Sequence, residues 1–228
     1  MIYPKHWSFQ TKEIAKNFDK HVRQSVPMYD EIQSMVAELV NFYTRDGDNI
    51  LDLGCSTGNT LANIKKEINK KLQFEGYDNS LEMLAIAEHR VKGVGFLSWN
   101  LNAGLPNHDG KYSAIISLFT MQFVKMENRQ NLISDIYSKL RKGGVFIMFE
   151  KIQGNNAHFN EMFVDLYQDM KVRQGLSPAD NLKKSQSLRG VMNPITTEAN
   201  ENLLFNAGFI DVDMFYKWYN FAGFIAVQ

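Results

Sequence analysis

Asn49-Ile50-Leu51-Asp52-Leu53-Gly54-Cys55-Ser56-Thr57-Gly58 decides the fold of this chain. An apolar strand runs into Asp-x-Gly-x-x-x-Gly, and a helical pattern begins at Asn59. Gly54 and Gly58 permit a tight strand-to-helix turn and bring backbone close to a ligand, where a Cβ would collide. Such a turn aims free N–H groups into the crevice at the strand's carboxyl end. Asp78 follows about 20 residues beyond the second glycine, after the strand-like run Leu72-Gln73-Phe74-Glu75-Gly76-Tyr77. An acid there accepts both hydroxyls of a ribose. Loop and acid together predict a nucleoside cofactor. A nicotinamide dinucleotide site prefers the tighter G-x-G-x-x-G spacing, which this turn lacks. The bland alternative is a structural turn, with Asp78 capping a strand.

The pattern around this turn is regular. Before it, residues 1–44 read as a helical cap, with Ile32, Met35, Val36, Leu39 and Val40 at helical spacing. After it come a helix over about 59–69, a strand over 73–77, a helix over 81–91 and a strand over 94–99. Ala114-Ile115-Ile116-Ser117-Leu118-Phe119 is almost wholly apolar, as suits a central parallel strand buried on both faces. A helix over about 129–140 is expected to stop at Arg141-Lys142-Gly143-Gly144, and Val145–Phe149 is a fifth strand. Alternation of this kind means a doubly wound parallel sheet. The runs 210–218 and 222–227 are separated only by Tyr219-Asn220-Phe221, too short for a parallel crossover, so they form an antiparallel hairpin. The expectation is one domain over 1–228: a Rossmann-like, seven-stranded, mostly parallel α/β sheet with an antiparallel last strand.

Composition narrows the function. Apolar residues make up 44% of 228, enough for one core. The 25 basic and 25 acidic residues balance, so no global field attracts nucleic acid. No apolar run approaches the roughly 18 residues of a membrane span. Met1-Ile2-Tyr3-Pro4-Lys5-His6 is not built like a signal peptide. Cys55, the single cysteine, forms no internal disulfide, and a cytoplasmic location is expected. His6, His21, His89, His108 and His158 are scattered without metal-ligand spacing, and no metal site is expected. The insertion 152–196 carries an apolar stripe, Phe159, Met162, Phe163, Leu166, Tyr167 and Met170. It reads as core or dimer packing, or as a lid over the crevice.

Leu51–Gly58 resembles motif I of class I S-adenosylmethionine-dependent methyltransferases, and Leu140–Gly144 resembles their segment before strand five. More of the chain is similar to the carboxy-S-adenosylmethionine synthase family of tRNA uridine 5-oxyacetic acid formation. The segments are Arg23–Tyr29, Tyr77–Ser80, Phe119–Phe123, Phe149–Lys151, Ala207–Phe209 and Tyr219–Phe221. The resemblance implies S-adenosyl-L-methionine, or its carboxylated derivative, as cofactor. By position it implies cofactor contacts at Tyr29, Asp52, Gly54, Cys55, Ser56, Gly58, Asp78, Asn79, Asn100 and Leu101. Asn100 is expected to accept from the adenine amino group. Two positions depart: the family's asparagine before Phe119 is Leu118, and its carboxylate-pairing arginine aligns with Ser185. A serine supplies no charged bidentate fork. Arg189, about one helical turn away, is the candidate replacement.

The leading expectation is therefore methyl transfer to an unassigned small-molecule acceptor. The alternatives are carboxylated-cofactor synthesis, which the resemblance implies would use prephenate, and a non-catalytic cofactor-binding protein. Methyl transfer from a sulfonium needs alignment more than side-chain chemistry. No residue is singled out as a base. Glu150 lies at the crevice edge, and a role pairing with Lys151 or with loop backbone competes there. The resemblance also implies a homodimer.

Overall fold

The computed structural model describes residues 8–228; the stretch Met1–His6 lies outside them. The elements run α1 (Lys12–Ser25), α2 (Tyr29–Tyr43), β1 (Asn49–Leu53), α3 (Asn59–Glu67), β2 (Gln73–Asp78), α4 (Leu81–Arg90) and β3 (Val94–Ser98). They continue through β4 (Tyr112–Leu118), α5 (Met126–Lys139), β5 (Leu140–Lys151), α6 (Ala157–Arg173), α7 (Pro178–Ser187), α8 (Thr197–Ala207), β6 (Asp211–Trp218) and β7 (Phe221–Val227). The seven strands order as β3-β2-β1-β4-β5-β7-β6. β1 to β5 pair in parallel, and β7 enters antiparallel between β5 and β6. This is the class I methyltransferase sheet that the alternation and the short last connection predict.

The core has two sides because the central strands are buried on both faces. Leu51, Leu53, Ile115, Phe146 and Met148 pack beneath α5 and α8 with Leu132, Ile136 and Leu204. Ile50, Ile116, Val145, Ile147 and Phe149 pack on the other face against Ile32, Val36, Val40, Leu61 and Ile64 of α2 and α3. A smaller cluster joins Ile14 and Ala15 of α1 to Met83 of α4. Thr57 links the two helices as well: its hydroxyl donates to Asp19 at 2.7 Å and accepts from Arg90 at 3.0 Å, while Arg90 also pairs with Asp19.

Two expectations are refined. The helix stops where expected, α5 ending at Lys139 with Leu140 as its cap, but Arg141–Gly144 runs on as an irregular extension at the start of β5. Leu140 pairs with Tyr112, the register then shifts, and Gly143 N–H donates to the Gln228 carbonyl at 2.8 Å. The chain's last residue thus draws this segment into the sheet. The insertion folds as α6 and α7, and the α6 stripe splits. Tyr167 and Met170 are buried with Phe221, whereas Phe159 and Met162 are exposed. Phe163 stacks between Phe159 and the turn residue Tyr219.

Arg129 of α5 is fully buried and ties distant segments together. Its guanidinium donates to the carbonyls of Val124 (3.0 Å), Gln122 (3.2 Å) and Asn193 (2.6 Å). Arg129→Met leaves the Val124 and Asn193 carbonyls without this donor and the Gln122 carbonyl with only the Asn193 N–H at 2.9 Å. It should lower stability by about 2–4 kcal/mol, read as a reduced urea midpoint with an unchanged slope.

Candidate active site

A cleft of about 450 Å³ opens at the carboxyl ends of β1 and β4. These neighbours are where the strand order reverses direction, the usual ligand position in a doubly wound sheet. Tyr29, Asp52, Gly54, Cys55, Ser56, Asp78, Asn79, Asn100, Leu101 and Arg189 all line it. Gly58 does not. It starts α3 at φ +74°, and a Cβ there would meet Ala87 at 3.1 Å, so its role is to let α3 pack on α4.

The turn after β1 is held open for a ligand by close contacts. Gly54 has φ +73°, and a Cβ on it would lie 2.1 Å from the Thr120 hydroxyl oxygen. Ser56 and Phe119, both lining the cleft, are non-glycine residues at φ +50° and +58°. Backbone in this region costs about 1–3 kcal/mol per residue and persists where its surroundings enforce it. For Ser56 the enforcement is visible: its N–H donates to Asp78 Oδ2 at 2.9 Å, while Asp78 Oδ1 accepts from Ser80 N–H at 2.8 Å. Asp78 therefore spends one lone pair of each oxygen on the protein and keeps others for a ligand.

Asp52 is fully buried beside it. Its Oδ2 has no hydrogen-bond partner among the described residues, and burial plus the Asp78 charge push its pKa up to about 8. Burial also raises Asp78. Gln33 of α2 lines the same cleft with both amide atoms buried and unpartnered. Orphaned buried groups of this kind mark where a ligand supplies the missing partner. Tyr29 accepts from Asn59 Nδ2 at 3.2 Å and is buried. Cys55 is buried and its thiol is pushed up by burial, which leaves it unreactive.

The expected use of Asn100 changes. Its Oδ1 accepts from the backbone N–H (3.0 Å) and the side-chain amide (3.1 Å) of Asn102, capping the short turn Leu101–Ala103. The oxygen is thus engaged within its own turn, although the residue lines the cleft. Glu150 takes the competing role of holding loop backbone. It lies outside the cleft lining, and its two oxygens accept from Met121 N–H (2.9 Å) and Gln122 N–H (2.8 Å). Burial raises it to about 8. Among the described residues no three His, Cys, Asp or Glu side chains group as a metal site requires, and no helix is long and apolar enough to cross a membrane.

Sequence reading missed one wall of the cleft altogether. Lys151 from β5, Lys171 from α6 and Lys184 from α7 all line it, with Lys171 and Lys184 buried. Lysine is ordinarily a surface residue, so nothing in hydropathy marks these three. Arg189, the expected cation, is exposed at the rim.

Residues 50–144 match the family model described as a methyltransferase domain. The chain is 36% identical to the carboxy-S-adenosyl-L-methionine synthase of Staphylococcus epidermidis, over 99% of this chain and 98% of that one. It belongs to the carboxy-S-adenosyl-L-methionine synthase family. The synthase of Nautilia profundicola is 34% identical over 95% and 93% of the two chains. Among solved structures, a plantazolicin methyltransferase superposes with a TM-score of 0.68 over 95% of this chain and 90% of that one. At 13% identity that likeness speaks to the fold alone.

Gly54→Ala tests the tight turn. The variant should bind S-adenosylmethionine at least tenfold more weakly by calorimetry, because its methyl displaces Thr120 and strains φ.

Proposed function

We propose that this protein carboxylates S-adenosylmethionine, taking the synthase alternative over methyl transfer to a separate acceptor. The near full-length likeness to carboxy-S-adenosyl-L-methionine synthases supports that choice. The observation that carries the sulfonium substrate is the Asp52–Asp78 pair. Asp52 is fully buried, the charge of half-buried Asp78 beside it adds to the cost of ionising it, and it keeps an unpartnered oxygen. A ligand bearing cationic amino and sulfonium groups relieves that cost by letting Asp52 ionise. In this reading Asp78 takes the ribose hydroxyls, Asn79, Asn100 and Leu101 face the adenine, and Asp52, Gly54, Ser56 and Tyr29 hold the amino-acid end.

The chemistry asks for positioning rather than a strong acid or base. A carboxyl leaves prephenate together with its ring hydroxyl, giving phenylpyruvate. The sulfonium methyl carbon loses one proton, which leaves with that hydroxyl as water, and gains a bond to the carboxyl carbon. The residues must hold both substrates in contact and exclude bulk water from the exchange. The cleft is walled on one side by α1, through Phe18, His21 and Val22, and on the other by Tyr167 and Phe221. The balanced charge supports small-molecule ligands rather than nucleic acid. A homodimer belongs to the same proposal, resting on exposed Phe159 and Met162. A monomer mass by light scattering at all concentrations removes that part.

Mass spectrometry after incubation with S-adenosylmethionine, with and without prephenate, tests the reaction. The expected outcome is a prephenate-dependent carboxylated product with an equal amount of phenylpyruvate. S-Adenosylmethionine bound but unchanged would return the protein to the methyl-transfer or binding-protein readings.

A further inference from the structure

We propose that Lys151, Lys171 and Lys184, gathered around Tyr167 and Ser25, form a receptor for a carboxylate carried by a ligand in the cleft. The assignment rests on reading the cleft as the adenosyl-sulfonium site.

The geometry is specific. Lys151 Nζ and Lys171 Nζ lie 4.5 and 4.3 Å from the centroid of the same ring, that of Tyr167. The Tyr167 hydroxyl donates to the Ser25 carbonyl at 2.9 Å, and Lys184 Nζ donates to the Ser25 hydroxyl at 2.7 Å. One tyrosine and the last residue of α1 therefore gather three ammonium groups from β5, α6 and α7. All three line the same cleft as Asp52 and Asp78.

Removing an ammonium from water is costly unless an anion replaces the lost solvation. Lys151 and Lys171 pair with no carboxylate among the described residues. An aromatic face offsets only part of the cost. Burial pushes Lys151 down to about 8, and burial with the nearby Lys151 charge pushes Lys171 down to about 7. Lys184 is also lowered well below its ordinary value, by burial and then by Lys171 and Lys151. Three like charges gathered this way destabilise the empty protein, and a bound anion reverses the sign of each term. Ser185 cannot pair with that anion, but it lines the cleft next to the buried Lys184. The charge comes from its neighbour on α7.

The other titratable groups facing the cluster are His21 of α1, Tyr167 of α6 and Tyr216 of β6. His21 is pushed down to about 3, mainly by burial, and burial raises both tyrosines. Lys151 and Lys171 lose charge as pH rises through about 7–8, so binding of a carboxylate to them should take up protons and weaken as pH rises, while Asp52 in the same cleft, raised to about 8, gains charge over that range and adds to the weakening.

Lys171→Met and Lys184→Met, with Lys171→Arg as the charge-keeping control, are compared by calorimetry. The ligands are S-adenosylmethionine, its carboxylated derivative, and prephenate. The receptor is for a carboxylate other than the α-carboxylate that S-adenosylmethionine itself carries, so the expected result is at least a tenfold loss of affinity for the carboxylated derivative or for prephenate in both methionine variants. S-Adenosylmethionine affinity stays within about twofold, Tm is unchanged or higher, and Lys171→Arg binds as wild type. Loss confined to the carboxylated cofactor places the anion on the sulfonium arm; loss confined to prephenate places it on the second substrate. Proton uptake on prephenate binding at pH 8, read in two buffers, should be smaller in Lys171→Met than in wild type. Unchanged carboxylate affinity, or a lowered Tm with affinity for all ligands reduced alike, overturns the receptor. If wild type does not bind S-adenosylmethionine, the cofactor reading fails first and takes the receptor with it.

Discussion

Desolvated charge governs this molecule. A parallel sheet places the ends of β1 and β4 side by side, and the helices that cover the sheet remove water from what those ends carry. Asp52 and Asp78 are trapped at one part of the resulting cleft, and Lys151, Lys171 and Lys184 line another part. Charges of the same sign sit together, so burial and mutual repulsion act in the same direction within each group. A protein meant only to be stable would exchange such groups for apolar ones of similar volume. Retaining them makes sense where the compensating charge arrives with a ligand.

The backbone around the cleft is fixed by groups that do not enter it. Glu150 and Lys151 are neighbours at the end of β5 and divide the work. Glu150 turns back to hold Met121 and Gln122, and the Gln122 carboxamide in turn accepts from Lys151 N–H at 2.9 Å. Arg129 fastens the same loop from below through the Gln122 and Val124 carbonyls. Thr120, held in this loop, presses against Gly54. The left-handed φ values at Ser56 and Phe119 therefore stand on two braced loops rather than on local preference.

The sheet was legible because its signals are local or periodic. Leu51–Gly58 announces a strand, a turn and a helix within ten residues, and the two-residue turn after Trp218 allows only a hairpin. Arg141–Gly144 marked the end of α5 but not the early start of β5, because the hydrogen bonds there are made with Gln228, far along the chain. The wall carrying Asp52, Gly54 and Asp78 could be read from motif spacing. The lysine wall could not: Lys151, Lys171 and Lys184 stand on three separate elements, and each looks like an ordinary solvent-facing lysine. Only tertiary folding onto Tyr167 makes them one group.

Replacing a guanidinium fork by separate ammonium groups changes what recognition can enforce. A fork fixes the plane of a carboxylate through two parallel hydrogen bonds, while an ammonium acts as a point charge with rotatable donors. Orientation must then come from how the ammonium groups are held. Here Tyr167 restrains two of them against one ring, and Ser25 at the end of α1 holds the third. The Tyr167 hydroxyl is itself anchored to Ser25, so α1, α6 and α7 are coupled through one residue. A shift of α1 would move Lys184 and the wall formed by His21 and Val22 together. Access to the cleft and the strength of its cationic side are thus linked by the same two hydrogen bonds.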